Sequence, residues 1–120
     1  MSPLLLLLIG VAGGAGAVLR WGIEVLALPW SHRFPWGILL VNVTGSFALG
    51  LVTGAFGASE AGWVLGTGLL GGYTTFSSVC AAAASMLATK RWIAAIGNTI
   101  GTFVLSLGAA AAGLALTGAL

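Results

Sequence analysis

The chain has 120 residues, and only six carry a formal charge: four Lys or Arg and two Glu, for a net charge of +2. Charged residues make up 5% of the sequence, apolar residues 59% and glycine 20 positions, and the mean hydropathy is +1.14; a soluble domain carries about a quarter charged residues. This composition excludes a soluble globular domain, whose surface must be polar, and a disordered chain, and it argues against nucleic-acid binding, because a pI near 9.3 reflects four scattered cations and no basic stripe.

An integral membrane protein remains. Arg20, Glu24, Arg33, Glu60, Lys90 and Arg91 bound the uncharged stretches 1–19, 34–59, 61–89 and 92–120. A helix crosses the hydrocarbon core with roughly 20 apolar residues, so the pattern predicts an all-α membrane protein: one four-span domain over 1–120, with spans near 4–26, 37–56, 62–87 and 92–116. The stretches are apolar all round and lack the alternation of a transmembrane barrel.

The first span opens on Met1-Ser2-Pro3, without the basic start of a cleaved signal. It ends with Arg20 and Glu24 four residues apart, a spacing that predicts a mutually neutralising pair. Residues 29–36 follow, with two prolines, Trp30, Trp36, His32 and Arg33. Span two places Asn42 within Leu39-Leu40-Val41-Asn42-Val43, where an amide needs a partner or a hydrated cavity. Span three holds Gly71-Gly72-Tyr73-Thr74-Thr75-Phe76-Ser77-Ser78, two glycines and four hydroxyl residues that weaken a helix at membrane depth. Non-helical backbone there survives only where it is buried or lines water. Span four carries Asn98 and Thr102 one turn apart.

Small residues recur at four-residue spacing in Gly10/Gly14, Gly50/Gly54, Gly62/Gly66 and Gly97/Gly101, a pattern of close helix packing. Ser46, Thr53, Thr67 and Ser106 are expected to return their hydroxyls to carbonyls one turn back, and Cys80 to be a small buried apolar residue. Four thin helices enclose little interior, so a polar pathway points to an oligomer. All four cations lie toward the side with the Arg33 and Lys90–Arg91 loops. The positive-inside rule then places those loops in the cytoplasm and both termini outside the cell membrane.

These residues carry a resemblance. Gly13-Gly14-x-Gly16-Ala17-x-x-Arg20, Pro35-x-Gly37-x-Leu39-x-Val41-Asn42-x-x-Gly45-Ser46-Phe47 and Gly71-Gly72-Tyr73-Thr74-Thr75-Phe76-Ser77, in this order and spacing, resemble the Fluc (CrcB-type) fluoride channels. The resemblance implies a fluoride-selective channel that exports cytoplasmic fluoride passively, not an enzyme. It also implies an antiparallel dimer with two pores and a third helix broken mid-membrane. By the same resemblance Asn42, Phe76, Ser77, Asn98 and Thr102 belong to the fluoride pore. The carbonyls of Gly71 and Thr74 would hold a structural Na⁺ at the dimer interface, and Arg20 is structural.

Two departures stand out: Val79 occupies the place of the family's usual second phenylalanine, and Ala81–Ala84 lacks a common glutamate. An antiparallel homodimer needs a chain that inserts both ways, whereas four cations against none fix one orientation. A heterodimer with a homologous, inverted partner is therefore favoured over a homodimer. The alternatives are a non-conducting accessory subunit of such a pair and a small multidrug-resistance-type proton-coupled exporter. The exporter would depend on Glu24, with Arg20 one turn away opposing its use in proton exchange. On the channel reading, Asn42→Ala weakens fluoride passage and spares assembly, while Gly71→Leu crowds the chain crossing.

Overall fold

A computed structural model describes residues 2–120 as helices joined by short turns, with no strand among the described residues. The helices are α1 (Pro3–Leu26), α2 (Trp36–Phe56), α3 (Glu60–Gly62), a π-helical segment (Trp63–Leu70), α4 (Gly71–Tyr73), α5 (Ser77–Ala88) and α6 (Trp92–Leu116), with a 3₁₀ turn at Leu28–Trp30. Helices α1, α2 and α6 are long and apolar enough to cross a membrane. The longest molecular dimension, 48 Å, matches a bilayer with its headgroups.

Local sequence sets the ends of these helices. Ser2 caps α1, its hydroxyl accepting from Leu5 N–H at 3.1 Å, and Pro3 occupies the first turn, where no amide partner is needed. Helix α2 starts after Pro35 and stops at Gly57, whose φ of +57° suits glycine. Ser59 caps α3 through Gly62 N–H at 3.1 Å.

The stretch expected as the third span is divided among α3, the π-helical segment, α4 and α5. The wider turn is visible where Gly71 N–H donates to Gly66 O, five residues back. Glycines let this region press on α1. A Cβ at Gly16 would overlap the Leu69 carbonyl, and one at Gly72 would overlap the Gly13 carbonyl. A Cβ at Gly68 would sit 2.9 Å from Ile9 O. Gly50 and Gly113 do the same between α2 and α6, against Ala110 and Phe47 carbonyls, and Gly54 meets Thr117.

The four-residue pairs therefore divide. Gly50/Gly54 packs as expected, whereas Gly10, Gly14, Gly97 and Gly101 face open space within this chain. The glycines that bring α1 to the third stretch are spaced by three, Gly13 and Gly16. Outward faces are strongly apolar: Leu4, Leu7, Val11 and Val18 on α1, and Ile93, Phe103 and Leu107 on α6, are exposed. In a bilayer such a surface faces lipid tails, so its exposure carries no penalty.

Candidate functional site

Helix geometry fails between Tyr73 and Ser77. Thr74 has φ −78° and ψ 156°, an extended conformation, and the helical path resumes at Ser77. In a continuous helix Thr75 N–H would donate to Gly71 O. Here it donates to Asn42 Oδ1 at 2.8 Å, and Asn42 Nδ2 returns a bond to Thr75 O at 3.0 Å. Ser78 N–H likewise turns from Thr74 O to Thr75 Oγ1, at 3.1 Å.

Other side chains reach carbonyls at the interruption and beside it. Arg20 Nε donates to Gly72 O at 3.4 Å, and Asn98 Nδ2 donates to Val79 O at 3.0 Å. Asn42, Arg20 and Asn98 thus reach the non-helical backbone and its flanks from three different helices. Buried backbone polar groups need such partners. Among the described residues, no backbone amide reaches the Gly71 or Thr74 carbonyl by the helical route.

Arg20 does not pair with Glu24 as the spacing predicts. Its guanidinium turns to the Gly72 carbonyl, and Glu24 Oε1 is buried without a hydrogen-bond partner. The interruption supplies a backbone acceptor that helix periodicity could not reveal.

Beside the interruption lies a groove of about 850 Å³ between α2, α5 and α6, open along its side. Its lining is mostly apolar; the polar side chains in it are Asn42, Ser46, Thr74, Thr75, Thr99, Thr102 and Ser106, and no charged side chain lines it among the described residues. Asn42 and Thr102 are buried, at 7% exposure each. The hydroxyls of Thr102 and Ser106 are buried without hydrogen-bond partners, a state that costs about 1–3 kcal/mol per group in a folded protein. Phe76 stands at the groove edge, 82% exposed, and Phe103 stands there at 68%.

The structure thus brings Asn42, Phe76 and Thr102 to one groove. Asn98 lies fully buried one turn before Thr102, with its Oδ1 unpartnered. Ser77 is exposed and outside the groove lining, its hydroxyl 3.3 Å from Thr75 Oγ1. Cys80 is exposed and lines the groove, contrary to the expectation of burial.

Sequence reasoning missed Ser46 and Ser106, reading both as hydroxyls bonded to their own helix. Ser106 continues the four-residue spacing of Asn98 and Thr102, and that periodicity was the available signal. Thr75 was also missed as a separate element. It is buried, donates its N–H to Asn42 and accepts from the Asn42 amide, and organises Ser77 and Ser78 around its hydroxyl.

Apolar outer surfaces and membrane-length helices define a multi-pass membrane protein, with a side groove that no charged side chain lines among the described residues. The chain belongs to the family described as CrcB-like protein, Camphor Resistance (CrcB), whose model matches residues 7–114. It is 44% identical to a protein of Leifsonia xyli subsp. xyli named fluoride-specific ion channel FluC 1, over 98% of this chain and 90% of that protein. Identity is 42% to the protein of that name from Rubrobacter xylanophilus, over 94% and 93% of the two chains. A fluoride-specific ion channel FluC of Phenylobacterium zucineum is 38% identical over 92% and 93%. All three are named as ion channels and none as a drug exporter.

Proposed function

We propose that this chain is a subunit of a fluoride-selective channel that lets cytoplasmic fluoride leave down its gradient, with no enzymatic step. The observation that carries the reading is the groove beside Thr74–Phe76, in which the Thr102 and Ser106 hydroxyls are buried and unpaired and no fixed charge is present. The fluoride-specific names of the relatives supply the ion.

Fluoride is small and holds its water tightly, so a path must offer replacement donors. Thr102 and Ser106 provide hydroxyls already free of other partners. Asn42 Nδ2 has a second hydrogen beyond the one bound to Thr75 O. The exposed Phe76 ring offers an electropositive edge. A lysine or arginine in the groove would hold the ion too tightly for rapid release, and conduction needs binding weak enough to leave.

The groove is lined mostly by apolar side chains, but Asn42, Thr74 and Thr75 also reach it, and a polar group left unpaired in hydrocarbon costs several kcal/mol. A second subunit therefore closes it, and an inverted subunit also brings a second interrupted third helix to mid-membrane. The carbonyls of Gly71 and Thr74, which lack helical donors, fit a hard cation such as Na⁺, which takes carbonyl oxygens. Two chains would supply four such ligands. Bound there, Na⁺ would hold the two interruptions together and carry no part of the fluoride path.

The partner is a homologous inverted chain in preference to a second copy. All four cations lie toward one end of the helices, which supports a single orientation with termini outside. Relatives named FluC 1 and FluC 2 fit organisms that hold more than one such chain. The test is fluoride efflux from liposomes carrying the chain alone or with its partner. Flux down the fluoride gradient, independent of any proton gradient, is expected from the pair. Flux that requires a proton gradient would overturn the channel reading, and equally fast flux from the single chain would overturn the heterodimer.

A further inference from the structure

The loops at one end of the bundle carry a feature that conduction does not use. Arg33 and Arg91 lie 58 residues apart in sequence, yet Arg91 Nη2 donates to the Arg33 carbonyl. Lys90 adjoins them, so three of the four cations of the chain share one small area. Arg33 and Lys90 are exposed and Arg91 is half-buried. Glu60 lies at the far end of α2, and Glu24 turns Oε1 into a buried, unpartnered position. Trp30, Trp36 and Trp92 lie within three residues of Arg33 or Arg91 in sequence and are exposed by 71%, 53% and 59%.

The backbone of Lys90 adds a second observation. Helix α5 closes with Lys90 N–H on Leu87 O at 3.0 Å and Arg91 N–H on Met86 O at 2.8 Å. This closure favours glycine at the left-handed position. Lys90 occupies it with φ +61°, the only positive φ at a non-glycine residue among those described. A side chain there is unfavourable, so a cation is kept where glycine would fit better.

We propose that Arg33, Lys90 and Arg91 bind the phosphate of an anionic phospholipid at this membrane face, with Trp30, Trp36 and Trp92 seated at headgroup level. Guanidinium forks match phosphate oxygens in a bidentate manner, and a lysine adds a mobile point charge. Arg91 uses one donor on Arg33 O and retains others for the ligand. Tryptophan rings settle at the membrane–water interface, where that phosphate lies. Each cation near an anionic surface is worth roughly fivefold in affinity.

Native mass spectrometry of the purified protein in detergent, titrated with phosphatidylglycerol, phosphatidylcholine or inorganic phosphate, tests the site. Phosphatidylglycerol is expected to be retained in preference to phosphatidylcholine and to resist displacement by inorganic phosphate. Lys90→Gly should lower that retention roughly fivefold while raising the melting temperature, because glycine relieves the left-handed backbone. Arg33→Gln should lower retention similarly. Equal retention of the two lipids, displacement by inorganic phosphate alone, or wild-type retention by Lys90→Gly would overturn the proposal. Lipid retention is read without ion flux, so this site stands or falls separately from the fluoride path.

Discussion

Asn42 commits both ends of its amide to a single residue, Thr75, 33 positions away. From sequence alone Asn42→Ala is expected to spare assembly. With the two bonds in place, the substitution should also destabilise the fold by about 2 kcal/mol or more, since it strands a buried N–H and a buried carbonyl. Thermal melts alongside liposome flux separate the two effects. Thr102 gives the opposite pattern. Its hydroxyl is buried and unpaired, so Thr102→Val should leave the melting temperature unchanged or higher. Flux should fall roughly tenfold, as expected for the loss of about 1.4 kcal/mol of anion stabilisation. Phe76 is 82% exposed, so Phe76→Ile should likewise cost little stability in the single chain and slow fluoride passage.

At the scale of elements, the third stretch shows what sequence could and could not reveal. The charge gaps located α1, α2 and α6 closely, because lipid demands long apolar runs and the charged residues mark where they stop. The same run in the third stretch hid a π-helical segment and an extended Thr74, since both keep the apolar composition of a span. Gly71 and Gly72 drew attention as helix breakers, yet both remain helical. The helical path fails three residues later, where Asn42 draws Thr75 away from it, and no local propensity records a partner on another helix. The two glycines also differ in role. A Cβ at Gly72 would overlap the Gly13 carbonyl, whereas one at Gly71 meets only Gly66 O at 3.8 Å. Gly72→Ala should therefore unfold or loosen the α1 packing. Gly71→Ala should leave the single chain intact, and any loss must come from contact with a partner. Comparing the melting temperatures and assembly sizes of the two variants checks this.

For the whole molecule, the main sequence signal of function was the order of motifs, together with a nearly uncharged interior. Asn42, Phe76 and Thr102 do converge on one groove. Ser77 does not line it, and Ser46 and Ser106 do, because only the relative rotation of α2, α5 and α6 decides which hydroxyls face the groove. The groove opens sideways, and its lining is mostly apolar with a few polar side chains; the proposed second subunit would cover it. Accessibility tags at both termini should label a single side of the membrane when this chain is expressed, in keeping with Arg33, Lys90 and Arg91 gathered at one end and Arg20 on the same side. Equal labelling from both sides would instead fit a chain that pairs with itself.

Fluoride efflux from liposomes holding the assembled channel, compared between wild type and Thr102→Val, probes the groove most directly. The expected result is passive efflux that ignores the proton gradient and falls roughly tenfold in the variant, with assembly unchanged. Wild-type efflux from Thr102→Val, or transport that follows protons, would place the ion's route elsewhere.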